Sequence, residues 1–152
     1  MPRYRPVDAL QSPRFAGIRT FARLPQVTDS AGVDVAFVGV PFDTGATYRV
    51  GARFGPAAIR EASALLRTYN PVLDVDVYEH VSAVDFGDLP VAPGFIEDSY
   101  QRIVEGLTPI VQAGVVPILL GGDHSVTLAH LRAIAACVGP VALIQFDSHS
   151  DL

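Results

Sequence analysis

The segment Val115–Ser125, VVPILLGGDHS, and the segment Val141–Asp151, VALIQFDSHSD, decide the fold predicted from this sequence. Each joins a continuous apolar run to a short polar turn, and residues 126–136 between them have a helical pattern. Continuous apolar runs are typical of parallel strands covered on both faces. Strand, helix and strand within about thirty residues predict a βαβ unit with a right-handed crossover.

The segments upstream of this unit extend the same alternation of strands and helices. Apart from the apolar run at residues 34–40, the strand patterns are short, and the second helical pattern contains Gly106 and Pro109, which predict a kink or two separate pieces. The sequence therefore predicts an α/β fold with a parallel sheet. The predicted strands are residues 34–40, Val75–Tyr78 and Ser82–Phe86, and the predicted helices are Ala57–Arg67 and residues 96–113.

Composition excludes several classes of protein. The chain has 152 residues, of which 49% are hydrophobic and 18% charged, so it is not a disordered chain. All eleven basic residues are scattered arginines and the net charge is −5, which argues against a nucleic-acid partner and against membrane binding. With a single cysteine (Cys137), no secretory signal pattern and no apolar run long enough to cross a bilayer, we expect a cytoplasmic protein.

The polar turn after the last predicted strand has the spacing of a metal site. Asp147, His149 and Asp151 alternate in an extended segment, so their side chains point to one side, where a divalent cation would compensate the clustered charge. His124 follows the neighbouring predicted strand, and this mixture of nitrogen and oxygen ligands suits Mn, Fe, Co or Zn rather than Ca. Taken singly, the two turns are open to other interpretations: a loop of solvated acids, a helix cap, or an anion-binding turn.

These motifs resemble those of a known family. Residues 120–129, LGGDHSVTLA, and 143–151, LIQFDSHSD, are similar to the first two signatures of the ureohydrolase superfamily, which contains arginase, agmatinase and formiminoglutamase. Residues 41–60, PFDTGATYRVGARFGPAAIR, resemble the agmatinase branch. The resemblance covers residues 33–152, leaves 1–32 as an irregular N-terminal arm, and implies a three-layer α/β/α fold with a mainly parallel sheet.

The resemblance also implies an activity and a role for each site residue. It implies a hydrolase that uses two Mn²⁺ ions to release urea from a guanidino compound such as agmatine, with a nucleophile available at neutral pH. His124 would bind the first metal, Asp147 would bridge both, His149 would bind the second and Asp151 the first. Asp151 would also steer the nucleophile and pass its proton to the leaving amine. Family members are commonly homo-oligomers, trimers or hexamers.

One family signature is missing from the sequence. The third ureohydrolase signature, Ser-x-Asp-x-Asp, is absent; Leu73–Val77, LDVDV, has the acidic spacing but lies upstream of His124 and lacks the serine. We therefore expect the N-terminal half of a ureohydrolase domain, truncated after about half of it and inactive alone. The alternatives are a guanidinobutyrase, guanidinopropionase, arginase or formiminoglutamase of the same superfamily, or a non-catalytic fragment or pseudoenzyme acting as a binding module.

Four further polar residues have open roles. Asp43 and Arg49, in the Gly-rich segment, could line a substrate entrance or be a turn-forming residue and a surface arginine. Asp85 and Asp88, at the end of a predicted strand, could shape the site or cap a loop.

Overall fold

The computed structural model describes residues 2–149 and contains a parallel three-stranded sheet. Strand β1 lies in the centre, with β4 on one side and β5 on the other, and both pairings are parallel. A separate antiparallel pair is formed by β2 and β3, which have two residues each. The strands are β1 Val35–Gly39, β2 Tyr69–Asn70, β3 Val75–Asp76, β4 Ala83–Asp88 and β5 Val116–Leu120.

Three helices pack around this sheet. Pro56 occupies the first turn of α1, where its missing N–H leaves no hydrogen bond unmade. Glu97 and Asp98 lie in the first turn of α2, where their negative charge interacts favourably with the positive end of the helix dipole. The helices are α1 Gly55–Ser63, α2 Ile96–Gln112 and α3 Val126–Val138, and short 3₁₀ turns cover Phe21–Arg23, Ala52–Phe54 and Val77–Glu79.

The main core lies between one face of the sheet and the helices α2 and α3. Alternate residues of β1, Ala36 and Val38, are fully buried on this face, as the two-residue period of a strand requires. Helix α2 contributes Ile103 and Leu107, and α3 contributes small residues that allow close approach. The core residues are Val33, Ala36, Val38, Val40, Phe42, Val84, Tyr100, Ile103, Leu107, Ile110, Val115, Val126, Ala129 and Ala133.

The opposite face of the sheet is covered by α1 and by the N-terminal segment. The Phe21 ring stacks on Phe37 of β1 with 3.9 Å between centroids, and Arg60 of α1 reaches Asp85 of β4. Helices on both faces make the fold a three-layer α/β/α arrangement, as predicted. Helical spacing places Ala58, Ala62 and Leu65 on one apolar face of the predicted helix, but all three are exposed, because the buried side of α1 carries Arg60 and Ser63.

The N-terminal arm covers the outer edge of β4. The Gln26 segment bridges Asp85 in parallel, with the Val27 N–H donating to the Asp85 carbonyl (3.2 Å) and the Asp85 N–H donating to the Pro25 carbonyl (3.0 Å). Farther along, the Ala83 N–H donates to the Tyr4 carbonyl. The arm thereby satisfies backbone groups that an exposed strand edge would leave unpaired. The predicted boundary between an arm of residues 1–32 and a domain that begins at residue 33 stays a prediction.

The strand predicted over Val141–Phe146 is wrong for the described chain. These residues form no strand, and their apolar side chains face solvent; Phe146 is 96% exposed. A continuous apolar run becomes a buried strand only where a neighbouring strand pairs with its backbone and layers cover both faces. Within residues 2–149 neither condition is met, and β5, whose Val116 and Ile118 are exposed, pairs only with β1.

Helix α2 continues through both residues that were expected to break it. Pro109 lies in its last turn, and its carbonyl accepts the Ala113 N–H that ends the helix. Gly106 is a contact point, because a Cβ there would approach Leu89 Cδ2 to 2.6 Å. The sequence predicts a kink here, but Gly106 marks a close packing contact and Pro109 marks the end of the helix.

The strand pattern before β4 is shorter in the structure than the sequence predicts. The predicted strand Val75–Tyr78 is reduced to the two residues of β3 followed by a 3₁₀ turn, which Asp76 caps by accepting the Tyr78 N–H. Among the helices of residues 2–149, none combines the length and hydropathy needed to cross a membrane.

Candidate active site

The turn that carries His124 packs against the backbone after β1. The Asp123 N–H donates to the Phe42 carbonyl (2.8 Å), and the Asp123 carboxylate accepts hydrogen bonds from the Ser125 N–H (3.0 Å) and the Ser125 hydroxyl. Gly122 permits this packing, because a Cβ at that position would overlap the Phe42 carbonyl oxygen at 1.8 Å. The turn is therefore held at the carboxyl ends of β1 and β5, where parallel sheets build their sites.

A carboxylate closes the Gly-rich segment that follows β1. Buried Asp43 accepts the Gly51 N–H (2.7 Å) and the Arg53 Nε–H (2.7 Å), and Arg53 Nη2 lies 2.5 Å from it. The Arg53 guanidinium, with the backbone N–H groups of Gly51 and Arg53, lowers the pKa of Asp43 to about 2 although burial opposes the shift. The Gly45 N–H also donates to Asp123 (2.9 Å). Asp43 thus forms the base of the loop, and the loop is anchored to the His124 turn.

Three of the four predicted metal ligands lie together. His124 Nδ1 is 3.5 Å from one Asp147 oxygen, and His149 Nδ1 is 3.4 Å from the other. The His149 backbone N–H donates to Asp147 (2.9 Å), and this bond is the main reason that the pKa of Asp147 is lowered, with the two imidazoles contributing less. Asp151, the fourth predicted ligand and the predicted catalytic residue, lies outside the described residues.

The donor chemistry of these residues fits a divalent cation of the Mn type. Both imidazoles present Nδ1 to the same carboxylate, and ligands that share a cation at about 2.0–2.2 Å are themselves separated by about 3–3.6 Å. Within residues 2–149, no group of three or more His, Cys, Asp and Glu side chains is already arranged to hold a metal ion. Their role as metal ligands therefore stays a prediction.

A cavity of about 460 Å³ borders His124. It is lined by β5 and the start of α3, including Thr127 and His130. Burial lowers the pKa of His130, and among the described residues its Nε2 has no hydrogen-bond partner. The structure therefore places His130 on the wall of this cavity, which β5 also lines.

Sequence reasoning missed a buried ion-pair cluster at the end of β4. The Arg60 side chain, 9% exposed, pairs through Nε and Nη2 with both oxygens of Asp85 (2.8 and 2.9 Å) and through Nη1 with Asp88 (2.5 Å). Burial disfavours the charged guanidinium, but the hydrogen bonds that it donates to Asp85 and Asp88 outweigh this effect and raise the pKa of Arg60. Asp85 also accepts the backbone N–H groups of Phe21 (2.7 Å) and Gly87 (2.8 Å).

The cluster gives Asp85 and Asp88 a structural role. Through Arg60 they attach α1 to the strand end. A signal was present in the sequence: an aspartate within the apolar run of β4 must have a cationic or hydrogen-bonding partner. Which of the eleven arginines supplies it could not be read from the pattern.

Comparisons with known proteins agree with this architecture. The arginase family model matches residues 33–152. Guanidinopropionase from Pseudomonas aeruginosa is 44% identical over 147 residues, which is 97% of this chain and 46% of that protein. Mitochondrial agmatinase from Gallus gallus is 44% identical over 138 residues, 91% of this chain and 41% of that protein.

A solved structure gives the same result in three dimensions. Proclavaminate amidino hydrolase from Streptomyces clavuligerus superposes with a TM-score of 0.87 at 39% identity, covering 92% of this chain and 46% of that one. The chain thus spans a little under half the length of these relatives. A family model that matches most of the sequence and a closely similar fold lead to one conclusion: this chain belongs to the arginase family.

Proposed function

We propose that this chain is the N-terminal half of a ureohydrolase that releases urea from a small guanidino compound. The observation that carries the proposal is the convergence of His124 Nδ1 and His149 Nδ1 on Asp147 at the carboxyl edge of the sheet, in a chain of the arginase family. Histidines and a carboxylate that meet at a strand end suit metal-assisted hydrolysis.

Two Mn²⁺ ions are the proposed cofactors. His124, Asp147, His149 and Asp151 would hold them, and bound cations would supply Lewis-acid chemistry and a hydrolytic nucleophile at neutral pH. The chain's own part is to keep Asp147 ionised, which its lowered pKa favours, and to orient the His124 turn through Asp123. Asp151 is proposed to accept the proton of the nucleophile and to deliver it to the leaving amine.

Agmatine is the substrate we propose first, because the Gly-rich segment resembles the agmatinase branch. The relatives do not separate the candidates, since guanidinopropionase and agmatinase are equally similar to this chain. A panel of agmatine, guanidinobutyrate, guanidinopropionate, arginine and formiminoglutamate decides among them, assayed for urea or formamide on a protein that joins this chain to the proposed second half. The largest kcat/KM is expected for agmatine, and a larger value for a guanidino acid would reassign the substrate.

Completeness of the site is tested on the 152-residue chain itself. With the four proposed ligands and without the acids of the third family signature, the chain is expected to bind about one Mn²⁺ weakly and to release no urea from agmatine. Mn²⁺ titration followed by electron paramagnetic resonance measures the first property, and a urea assay the second. Robust urea release by a monodisperse preparation would show that the chain is complete without a second half.

Two matched variants connect the metal to the site. His149→Ala is expected to weaken Mn²⁺ binding further, whereas His80→Ala, which removes another exposed histidine, is expected to leave it unchanged. No measurable Mn²⁺ affinity in the parent chain would favour the alternative of a non-catalytic binding module. We also propose assembly as a trimer or hexamer and a cytoplasmic location. The chicken agmatinase that the chain resembles is mitochondrial, so a mitochondrial location is the alternative to test.

A further inference from the structure

A second cavity, of about 700 Å³, lies between the N-terminal arm and the end of α1. Helix α1 begins at Gly55 against the Gly121 carbonyl, at the carboxyl edge of the sheet, and ends at Ser63, one residue before the cavity wall. Nine helical residues span about 13 Å. The cavity therefore lies at the opposite end of the layer from the His124 turn and shares no residue with the candidate active site.

The walls of this cavity concentrate positive charge. Four arginines line it, namely Arg5, Arg14, Arg23 and Arg67, and Asp8 is the one carboxylate among the lining residues. Asp8 is engaged with the Leu10 N–H, and within residues 2–149 none of the four arginines forms an ion pair. In a chain of net charge −5, this is a local reversal of sign.

Two of these arginines are held in place by backbone oxygens. Arg23 is only 8% exposed and donates through Nη2 to the Ser12 carbonyl (2.8 Å). Arg14 donates through Nη1 to the carbonyls of Ala64 (3.3 Å) and Leu66 (3.2 Å). These neutral partners orient the guanidinium groups without neutralising them. A buried cation that lacks an anionic partner is unfavourable, so the arrangement favours an anion inside the cavity.

The backbone beneath Arg23 is itself unusual. Ala22 and Arg23 have positive φ angles of 49° and 61°, a region that L-residues seldom occupy. The conformation is held by the Ser63 hydroxyl, which accepts the Ala22 N–H at 2.8 Å. The strained pair thus fixes the buried Arg23 between the arm and α1, where the cavity lies.

We propose that this cavity binds a small multivalent oxyanion, one that carries phosphate or carboxylate groups. Guanidinium groups match both kinds of oxyanion with paired hydrogen bonds, and the volume lies within the range of about 300–1,000 Å³ typical of small-molecule sites. Bound there, the anion bridges the N-terminal arm, through Arg5 and Arg14, to the chain after α1, through Arg67. Its expected consequence is a more stable attachment of the arm.

The test is calorimetric titration of the purified protein, at low ionic strength, with pyrophosphate and separately with citrate. Saturable binding of one anion per chain is expected, and the tighter of the two probes distinguishes a phosphate from a carboxylate ligand. The double variant Arg5→Gln/Arg67→Gln removes two exposed charges and leaves the backbone-bonded arginines in place. It should weaken binding at least about tenfold, as loss of two charge-assisted contacts predicts.

The control is Arg132→Gln, which removes an exposed arginine of α3 outside the cavity and should keep the parent affinity. A melting temperature that rises with anion in the parent and the control, but not in the double variant, supports the same site. Absence of saturable binding for both probes at millimolar concentration overturns the proposal, as does equal weakening by the control. A dimer that the double variant dissociates, with no anion bound, would instead assign the cavity to contact between copies.

Discussion

Two clusters combine aspartate with arginine or histidine side chains in this structure, one at the end of β4 and one beside the His124 turn, and they differ in how the aspartate charge is satisfied. In the Arg60 cluster the acids meet a permanent cation, the Asp85 and Arg60 side chains are at most 9% exposed, and Asp85 also has backbone donors. In the Asp147 cluster the partners are the imidazoles of His124 and His149, and the His149 side chain is 80% exposed. The first cluster is complete without a ligand. The second brings together imidazole nitrogens and carboxylate oxygens, which are atoms that bind a metal ion, as a binding site requires.

The difference separates two roles that an aspartate in or after an apolar run can have. Asp85 and Asp147 both follow or interrupt apolar residues, so the pattern alone gives them similar weight. What distinguishes them is the partner: a guanidinium that cannot lose its proton stabilises the fold, whereas imidazoles can exchange a proton for a metal ion. Four substitutions test this comparison.

The largest effect is expected from Arg60→Ala, which removes the cation and leaves Asp85 buried and uncompensated. The free energy of unfolding should fall by about 3–5 kcal/mol, as measured by urea denaturation. Arg102→Ala is the control, because it breaks an exposed ion pair with Asp98 on α2 and should cost less than about 1 kcal/mol. Equal costs for the two variants would contradict the assigned role of the Arg60 cluster.

A smaller effect is expected where the open cluster is held in place. In Gly122→Ala the new methyl group would overlap the Phe42 carbonyl oxygen, so the His124 turn must shift, with a loss of about 1–3 kcal/mol. Mn²⁺ affinity should fall as well. Gly121→Ala is the matched control, because its Cβ meets only Val126 Cγ2 at 3.7 Å. Unchanged Mn²⁺ affinity in Gly122→Ala would show that the turn tolerates displacement.

The third test uses pH on the loop beside the site. The folded pKa of Asp43 is about 2, below its ordinary value of 3.8, so its contribution to stability is present above about pH 4 and is lost as the pH falls towards 2. Asp43→Asn should lower the melting temperature at neutral pH and flatten the part of the acid transition between pH 4 and 2. An acid transition identical to that of the parent would mean that other carboxylates dominate it.

The smallest effect on stability is expected for His149→Ala. Its side chain is mostly exposed, and among residues 2–149 its imidazole contacts Asp147 and the Ser148 hydroxyl, so the free energy of unfolding without metal should change by less than about 0.5 kcal/mol. Mn²⁺ binding should nevertheless weaken. A variant that is strongly destabilised without metal would place His149 with the structural cluster instead.

Much of the architecture could be predicted from the sequence, and the exceptions have a common cause. The strands at residues 35–39 and 116–120 and the helix after the GGDHS turn lie where their apolar patterns indicate, because local periodicity decides their type. Residues 141–146 have an equally strong strand pattern but form none, since a strand also needs a partner. Gly106 and Pro109 predict a break in the helix. In the structure, Gly106 allows Leu89 to pack closely and Pro109 lies at the helix end.

The candidate site divides in the same way. A bend brings His149 to Asp147 in place of the predicted extended segment, since residues 141–146 form no strand and the His149 N–H donates to Asp147. The ligand types and their order along the chain could nevertheless be found from local spacing. The loop base at Asp43, the partner of Asp85 and the arginine-lined cavity could not be found in that way. Each joins residues distant along the chain, and no local pattern records which of them meet.

By itself, the sequence determined the α/β class, the arginase-family motifs and the residue types offered to a metal. These depend on local periodicity and on short spacings that survive in any packing of the chain. Only the tertiary structure decided which charges are neutralised internally, which face of α1 is buried and which apolar run lacks a partner. Those outcomes depend on burial, and burial is set by the whole arrangement of layers, because a charge or a strand is stable only with the neighbours that the fold provides.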